Sequence, residues 1–373
     1  MEIPRKTVND SKSQSHGPAL RLNVRMASIS LLLFMGLILG SCIEQIDFDT
    51  DRRGGFLVVD GRIHDGPGPY TLELSRTTGE GSPTRPVSGA VVSLNDGLGN
   101  REFYTETAEG VYQAPGIEVQ GRRGGTYHIE IEIGGGIEYR SEPGTIPLYT
   151  ATDSVYFETT TIEELSEAGI LVDVEVVKVY ADTEIPDADS TLYLRWDVHE
   201  LYKYTEYDTP DPFNTPPPYC YVTQYPNPQK ITQFSTEESE AGLLRGNELS
   251  TTRIDFSFYQ RHYFNVVLSS TTKRADEYWR QVDEAVNRSG TIFDVPPATV
   301  AGNIYSLNKT QNRVLGFFET AIIDTSRFFT LRSDMPIFIG DPCGSFARNR
   351  HYACSNCLEL PNSTKEEPDY WLE

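Results

Sequence analysis

Residues 126–133 have the sequence TYHIEIEI, in which apolar and polar side chains alternate almost without interruption. A period of two is typical of a β-strand with one face in a core and the other in water. Three glycines at 134–136 give a turn signal, and the strand-like IEYR follows at 137–140. This segment predicts a β-hairpin, and it indicates that the surrounding chain folds as β-structure.

Short strands of the same kind precede this hairpin. The clearest are 56–63 (FLVVDGRI), 70–75 (YTLELS) and 87–94 (VSGAVVSL), separated by clusters of Gly, Pro, Asn and Asp. About seven short strands with turn signals between them are typical of an immunoglobulin-like sandwich. We therefore expect residues 55–147 to form an N-terminal immunoglobulin-like β-sandwich.

Residues 148–373 continue with strands, such as 170–179 (ILVDVEVVKV), and contain one clear helical pattern. In residues 273–288 (KRADEYWRQVDEAVNR) apolar side chains recur at helical spacing, Thr272 is a candidate N-cap and Gly290 ends the pattern. The sequence thus predicts a mainly β protein. Its sandwich is followed by a larger β-rich domain with one main α-helix at about 273–288.

An uncharged apolar run spans residues 27–40 (ASISLLLFMGLILG). Its last two residues begin the tetrapeptide LGSC at 39–42, which ends with Cys42. The run is shorter than the about 20 residues of a membrane-spanning helix, and basic residues precede it. We expect residues 1–41 to be a lipoprotein signal peptide, Cys42 to carry a lipid such as palmitate, and residues 42–54 to form an acidic tether. The alternative is an ordinary secretory signal in which Cys42 is incidental.

The chain is strongly acidic, with a formal net charge of −22. Removal of residues 1–41 takes away five basic and two acidic residues, which leaves 27 Lys and Arg against 52 Asp and Glu. Nucleic-acid binding needs clustered Lys and Arg, so this composition argues against it. It also argues against a broad contact with anionic lipid beyond the acyl anchor.

Four cysteines remain after the anchor: Cys220, Cys343, Cys354 and Cys357. An even number in an exported chain predicts disulfides, with three possible connectivities. A zinc site is the alternative, but it would need a second close pair beside Cys354 and Cys357. A thioredoxin-like role for that Cys-x-x-Cys would need a βαβ context, which the pattern does not show.

Catalytic and metal motifs are not evident. The six histidines form no HExxH pattern, and no Gly-x-Ser-x-Gly elbow is present. We expect no catalytic residue, no metal and no cofactor, and therefore a protein that is not an enzyme. A secreted hydrolase with an unrecognised catalytic pair is the less favoured alternative.

The segment richest in candidate binding residues is 202–228, which combines tyrosines with proline clusters. Exposed aromatic side chains with a polar group suit contacts with sugars or proteins, and proline stiffens the loop. The candidate ligand-binding residues are Tyr204, Tyr207, Phe213, Tyr219, Tyr221 and Tyr225. The alternative is that half of the tyrosines alternate into a β core while Cys220 fixes the loop.

These segments together resemble a family of Bacteroidota outer-membrane lipoproteins whose shared domain has no known function. The matching motifs are Cys-Ile-Glu at 42–44, LVVDG at 57–61, DGPGPY at 65–70, PVSGA at 86–90, GVY at 110–112, YW at 278–279, FDVPPA at 293–298, GNI at 302–304 and LGFF at 315–318. Genes of this family often lie beside those of TonB-dependent receptors.

The resemblance implies a lipid-anchored protein of the outer membrane that faces the cell exterior. Its expected role is that of a non-enzymatic accessory or binding component of a TonB-dependent nutrient-uptake system. A TonB-dependent receptor is then its expected protein partner, and no nucleic acid is involved. The alternative is a surface lipoprotein that binds a glycan or a peptide by itself.

Overall fold

The computed structural model describes residues 55–78, 83–187, 190–206, 217–227, 229–237, 242–287, 300–308, 313–344 and 351–372. The predicted signal peptide, Cys42 and the acidic tether lie outside the described residues. So do Tyr207 and Phe213 of the tyrosine- and proline-rich segment.

Strands dominate the described part of the chain, which confirms the predicted mainly β class. They are β1 Leu57–His64, β2 Tyr70–Arg76, β3 Arg85–Pro86, β4 Val91–Asp96, β5 Arg101–Phe103, β6 Thr105–Ala108, β7 Val111–Ala114, β8 Thr126–Ile133, β9 Ile137–Ser141, β10 Gly144–Thr145, β11 Thr152–Leu165, β12 Leu171–Glu184, β13 Tyr193–Thr205, β14 Tyr219–Gln224, β15 Thr232–Ser235, β16 Leu243–Arg253, β17 His262–Thr271, β18 Ile304–Ser306, β19 Val314–Thr330 and β20 Ser363–Thr364. Short 3₁₀ helices span Phe256–Phe258, Arg332–Asp334, Tyr352–Cys354 and Cys357–Glu359.

The α-helix of the described residues, α1, spans Lys273–Val286 and agrees with the predicted helix at about 273–288. The Thr272 side chain caps its first turn by accepting a hydrogen bond from the Ala275 amide at 3.2 Å. The Tyr278 ring stacks on Phe317 of β19 at 4.8 Å, so the helix covers one face of that strand. The expected end at Gly290 lies outside the described residues.

The strands of the described residues form three sheets. The largest has the order β20-β14-β13-β17-β19-β1-β2-β7-β6, with β15 added beside β13 and β3 beside β2. The second, called here the small sheet, has the order β18-β9-β8-β4-β5, with β10 beside β8. The third consists of β11, β12 and β16.

The N-terminal part of the largest sheet and the small sheet enclose a common apolar core. In β8 the side chains of Tyr127, Ile129, Ile131 and Ile133 are buried, while those between them face outward. From the other sheet, β1 and β2 contribute buried residues such as Leu72 to the same core. The alternation in the sequence therefore corresponds to a core between two sheets. The immunoglobulin-like character of residues 55–147 stays a prediction.

Strand β19 connects the two halves of the chain. Its first half pairs in parallel with β1, and its second half pairs antiparallel with β17. β18 likewise completes the small sheet by pairing with β9. Strands that follow residue 300 thus share sheets with residues 55–147, the segment predicted as a separate sandwich.

Close backbone contact explains two of the motifs in this region. Gly316 has φ +89°, and a Cβ atom there would lie 1.9 Å from the carbonyl oxygen of Val59. The Asn303 side chain donates to the Phe318 carbonyl at 2.8 Å and accepts from the Phe318 amide at 2.9 Å. Glycine and asparagine are therefore required here by backbone packing.

Candidate functional site

An ion cluster joins β1, β13 and β19, and its Glu319 and Arg195 side chains are each only 4% exposed. Glu319 Oε2 accepts hydrogen bonds from Arg62 Nε at 2.8 Å and from Arg195 Nη2 at 3.1 Å. The Arg195 guanidinium also lies 4.2 Å from the Trp279 ring of α1, and it donates to Asp197 at 2.8 Å. The cluster thus fixes the helix and three strands to one another.

The pKa of Glu319 shows that this cluster is compensated. Burial alone would raise the pKa of the carboxyl, but Arg62 and Arg195 outweigh burial and lower it to about 2. Glu319 is therefore ionised, its Oε2 accepts from two guanidinium groups, and it has no proton to exchange with a substrate at neutral pH.

A second buried polar group links β13, β16 and β17. Glu200 accepts a hydrogen bond from the Thr252 hydroxyl and lies 3.0 Å from His262 Nε2. The His262 ring stacks on Phe258 at 4.0 Å. Because Glu200 and His262 are completely buried, this carboxylate–imidazole pair stabilises the core and does not meet solvent.

The four cysteines form two disulfides, Cys220–Cys357 and Cys343–Cys354, which confirms the predicted bridges and selects one of the three connectivities. The Cys-x-x-Cys pair is divided between the two bridges, so it is not a redox motif. Glu206 lies close enough to Cys220 and Cys357 for the three residues to resemble a set of metal ligands. Because those two sulfur atoms are bonded to each other, they are not available as thiolate ligands.

The structure separates the candidate ligand-binding residues of segment 202–228. Tyr204 is buried, with its hydroxyl 3.2 Å from Cys343 Sγ, and burial together with Asp341 raises its pKa to about 12. Tyr221 is also buried: it donates to Glu367, and its ring lies 4.9 Å from that of Trp371.

Two other tyrosines of the set remain accessible. Tyr219 is half-buried beneath the Lys203 ammonium, which lies 3.8 Å from the ring centre. Tyr225 is exposed. These placements support the core alternative for Tyr204 and Tyr221, and they provide no continuous aromatic surface among the described residues of the segment.

An exposed apolar surface occurs instead on a hairpin that sequence analysis did not single out. β11 and β12 pair along their whole length, but β16 extends the sheet only from Val176 onward. Residues 161–175, called here the arm, therefore form a two-stranded extension whose paired strands run for roughly 17 Å. In the arm only Val174 is buried.

The end of the arm is apolar. Leu165 and Leu171 lie directly opposite each other and are 70% and 61% exposed. Ile170 beside them is 62% exposed. Clustered large apolar side chains at such exposure mark interaction sites more often than scattered single ones.

The arm is also acidic. It contains Glu163, Glu164, Glu167, Asp173 and Glu175 and has no basic residue. Glu163 and Asp173 are cross-strand partners, a like-charge arrangement that is unfavourable in an isolated hairpin. Among the described residues, none of these five carboxylates forms an ion pair.

The turn of the arm is well defined. The Ser166 amide donates to the Ile170 carbonyl at 2.8 Å, and the Ser166 hydroxyl also bonds that carbonyl at 2.8 Å. Gly169 adopts φ +74° and donates to the Ser166 carbonyl at 2.8 Å. These hydrogen bonds hold the turn next to the apolar end, and a turn that is ordered before binding lowers the entropy cost of docking.

Comparison with protein families gives one match, the model named Domain of unknown function (DUF4249), over residues 43–327. This range includes the arm, the small sheet and α1. The chain belongs to the DUF4249 family. No curated protein and no solved structure matches the chain.

In the described part of this DUF4249 chain, no helix combines the length and apolar character needed to cross a membrane. The apolar and polar pattern of residues 170–179 predicts a strand but does not by itself indicate an exposed hairpin. The signal that could have found it is ELSEAGILVD at 164–173, where acidic residues flank apolar ones on both sides of a glycine turn.

Proposed function

We propose that this DUF4249 protein is a lipid-anchored, non-enzymatic accessory component of a TonB-dependent nutrient-uptake system at the outer membrane, facing the cell exterior. The observation that carries the proposal is the arm, whose exposed apolar end is accompanied by carboxylates that have no cationic partner among the described residues. Such a surface fits a partner with an apolar socket and a basic rim. A receptor protein in the same membrane is the partner proposed.

Anchoring explains how a single small docking surface can be sufficient. A lipid on Cys42 confines the protein to the membrane, and the residues 42–54 connect it to the folded part of the chain. Confinement next to the receptor raises the effective concentration, so a modest contact gives lasting association. The two disulfides agree with an exported location, since such bonds persist in oxidising compartments.

Two buried groups support a role other than catalysis. Glu319 is held by two arginines, and Glu200 is held by His262 and Thr252. Residues with this chemistry serve as catalytic acids and bases when they face a cleft, but here they lie within the core. They are used to stabilise the fold.

The proposal is tested by affinity isolation of the tagged full-length lipoprotein from detergent-solubilised outer membrane of its native host, followed by mass spectrometry. One TonB-dependent receptor in near-stoichiometric amount is the expected result. Recovery of the lipoprotein without any receptor would contradict the proposal.

A variant with reversed charges on the arm tests whether the arm makes the contact with the receptor. Replacing Glu163→Lys and Asp173→Lys should reduce the co-isolated receptor at least about tenfold, because like charges then face the basic rim. The matched control is Glu109→Lys with Glu366→Lys, which makes the same change in net charge at exposed positions elsewhere. Equal losses in both variants would assign the effect to net charge and not to the arm.

The alternative function, ligand capture by the chain itself, is favoured by a different surface. The outer face of the small sheet carries aromatic, basic and acidic side chains in register. This observation concerns ligand binding and does not depend on a protein partner.

A further inference from the structure

The outer face of the small sheet contains one row of side chains that crosses all five strands. The register pairs Tyr305 with Arg140, Arg140 with Glu130, Glu130 with Ser93, and Ser93 with Phe103. With neighbouring strands about 4.8 Å apart, the two aromatic residues at the ends of the row are roughly 19 Å apart. The row is long enough for an oligomeric ligand.

This face contains an open cavity of about 300 Å³. Residues of the row and their neighbours line it, including Phe103, Leu307 and Val91, while Tyr305 lies beyond the lining. Phe103 is 56% exposed and Tyr305 is 42% exposed. The small, buried Ser93 in the row leaves space between the larger side chains. The volume is at the lower end of the range of ligand clefts.

The floor of the cavity offers both donors and acceptors of hydrogen bonds. Glu130 accepts hydrogen bonds from Arg101 and Arg140. Because both guanidinium groups are already paired with this carboxylate, neither would bind an anionic ligand strongly. Arg140 Nε is shielded from solvent and has no hydrogen-bond partner in the described structure. Glu132 and Glu138 are exposed cross-strand partners, and neither forms an ion pair with a described residue.

The charges on this face are nearly balanced. Arg101 and Arg140 oppose the carboxylates of Glu130, Glu132 and Glu138. His128 on the same face adds no charge at neutral pH, because burial and the two arginines lower its pKa. An anionic or cationic ligand would therefore gain little from long-range attraction.

We propose that the outer face of the small sheet is a binding site for a neutral oligosaccharide. Sugar rings have apolar C–H faces that pack on aromatic rings, which Phe103 and Tyr305 provide at the two ends. Their hydroxyl groups both donate and accept, which matches the partly exposed Arg101 and Arg140 guanidinium groups and the Glu132–Glu138 pair. A peptide that adds a strand would need an exposed sheet edge, whereas this row lies on a face.

The test is isothermal titration calorimetry with the purified full-length lipoprotein in detergent micelles. The probes are cellohexaose, maltohexaose and mannohexaose, with hexagalacturonate as the charged counterpart. We expect at least one neutral hexasaccharide to bind with a Kd below about 1 mM. Phe103→Ala and Tyr305→Ala should each weaken that binding about tenfold, through loss of one stacking surface.

Leu98→Ala is the matched control, because it removes an exposed apolar side chain from the turn between β4 and β5 of the same sheet. It should leave the Kd unchanged. Binding of none of the neutral probes, binding of hexagalacturonate alone, or binding unchanged in both aromatic variants would each overturn the proposal.

This inference goes beyond the proposed accessory function and is tested without a receptor. Loss of saccharide binding in the calorimeter leaves the receptor association to be decided by co-isolation. Conversely, a chain that binds saccharide but co-isolates no receptor would retain this site and lose the accessory function.

Discussion

Replacement of Glu319 by glutamine should destabilise the protein by about 3 kcal/mol at neutral pH. The magnitude follows from the two arginines, which lower the pKa of this carboxyl from an ordinary 4.5 to about 2, a difference equivalent to about 3 kcal/mol. Glutamine keeps the shape of the side chain but removes the charge. Arg195 is then left buried, and Arg62 partly buried, with a neutral partner.

The same pKa difference predicts how the effect depends on pH. Because the folded-state pKa of Glu319 lies below the unfolded value, its contribution is complete above about pH 4.5 and is lost as the pH falls toward about 2. The difference in free energy of unfolding between wild type and Glu319→Gln should therefore shrink across that window. Urea denaturation followed by circular dichroism at about pH 7, 5.5, 4 and 3 measures it.

Asp197→Asn is the matched control within the same cluster. Asp197 also binds Arg195, at 2.8 Å, but its side chain is 45% exposed, so its loss should cost no more than about 1 kcal/mol. A gap between wild type and Glu319→Gln that stays constant from about pH 7 to about pH 3, or that is under about 1 kcal/mol at pH 7, would refute the argument.

Three further predictions concern single features of the chain. Replacing both Cys220 and Cys357 by serine should cost about 5 kcal/mol, because the bridge closes a loop of 137 residues; unchanged urea stability under non-reducing conditions would contradict this. Gly316→Ala should destabilise by at least about 2 kcal/mol, since its Cβ would collide with the facing β1 carbonyl, and a thermal melt equal to wild type would refute the clash. Cys42→Ala should abolish labelling by radioactive palmitate and release the protein from the membrane fraction, whereas a retained label would disprove lipidation at this cysteine.

The local pattern was sufficient to predict the strands of the first half and the helix. In β8 the alternation of TYHIEIEI corresponds to buried and outward-facing residues position by position. The helix pattern from Lys273 was correct because Tyr278 and Trp279 both face the sheet, through Phe317 and Arg195. Pairing between distant strands was not predictable in this way. Nothing local in LGFFETAI at 315–322 indicates that it pairs with a strand more than 250 residues earlier in the chain.

The candidate binding residues were harder to predict because tyrosine serves two purposes. Tyr204 and Tyr221 alternate with other residues along strands, and the disulfides draw the C-terminal segment over them. Sequence alone does not show whether such a tyrosine is covered. Phe103 and Tyr305, which are exposed, were not candidates because they belong to short strands far apart in the sequence. Only the sheet register brings them into one row.

The buried carboxylates and the exposed carboxylates of the arm differ in whether they have partners, and this difference supports docking through the arm. Two buried carboxylates are compensated: Glu319 has two guanidinium partners, and Glu200 has an imidazole and a hydroxyl. On the arm, by contrast, Glu163 faces Asp173 with no cation from the described residues nearby. Charged residues on an edge discourage aggregation, but that purpose does not require three large apolar side chains beside them. A basic, apolar partner surface would relieve the repulsion and cover Leu165, Ile170 and Leu171 at the same time, and this double fit is the reason that docking is the proposed role of the arm.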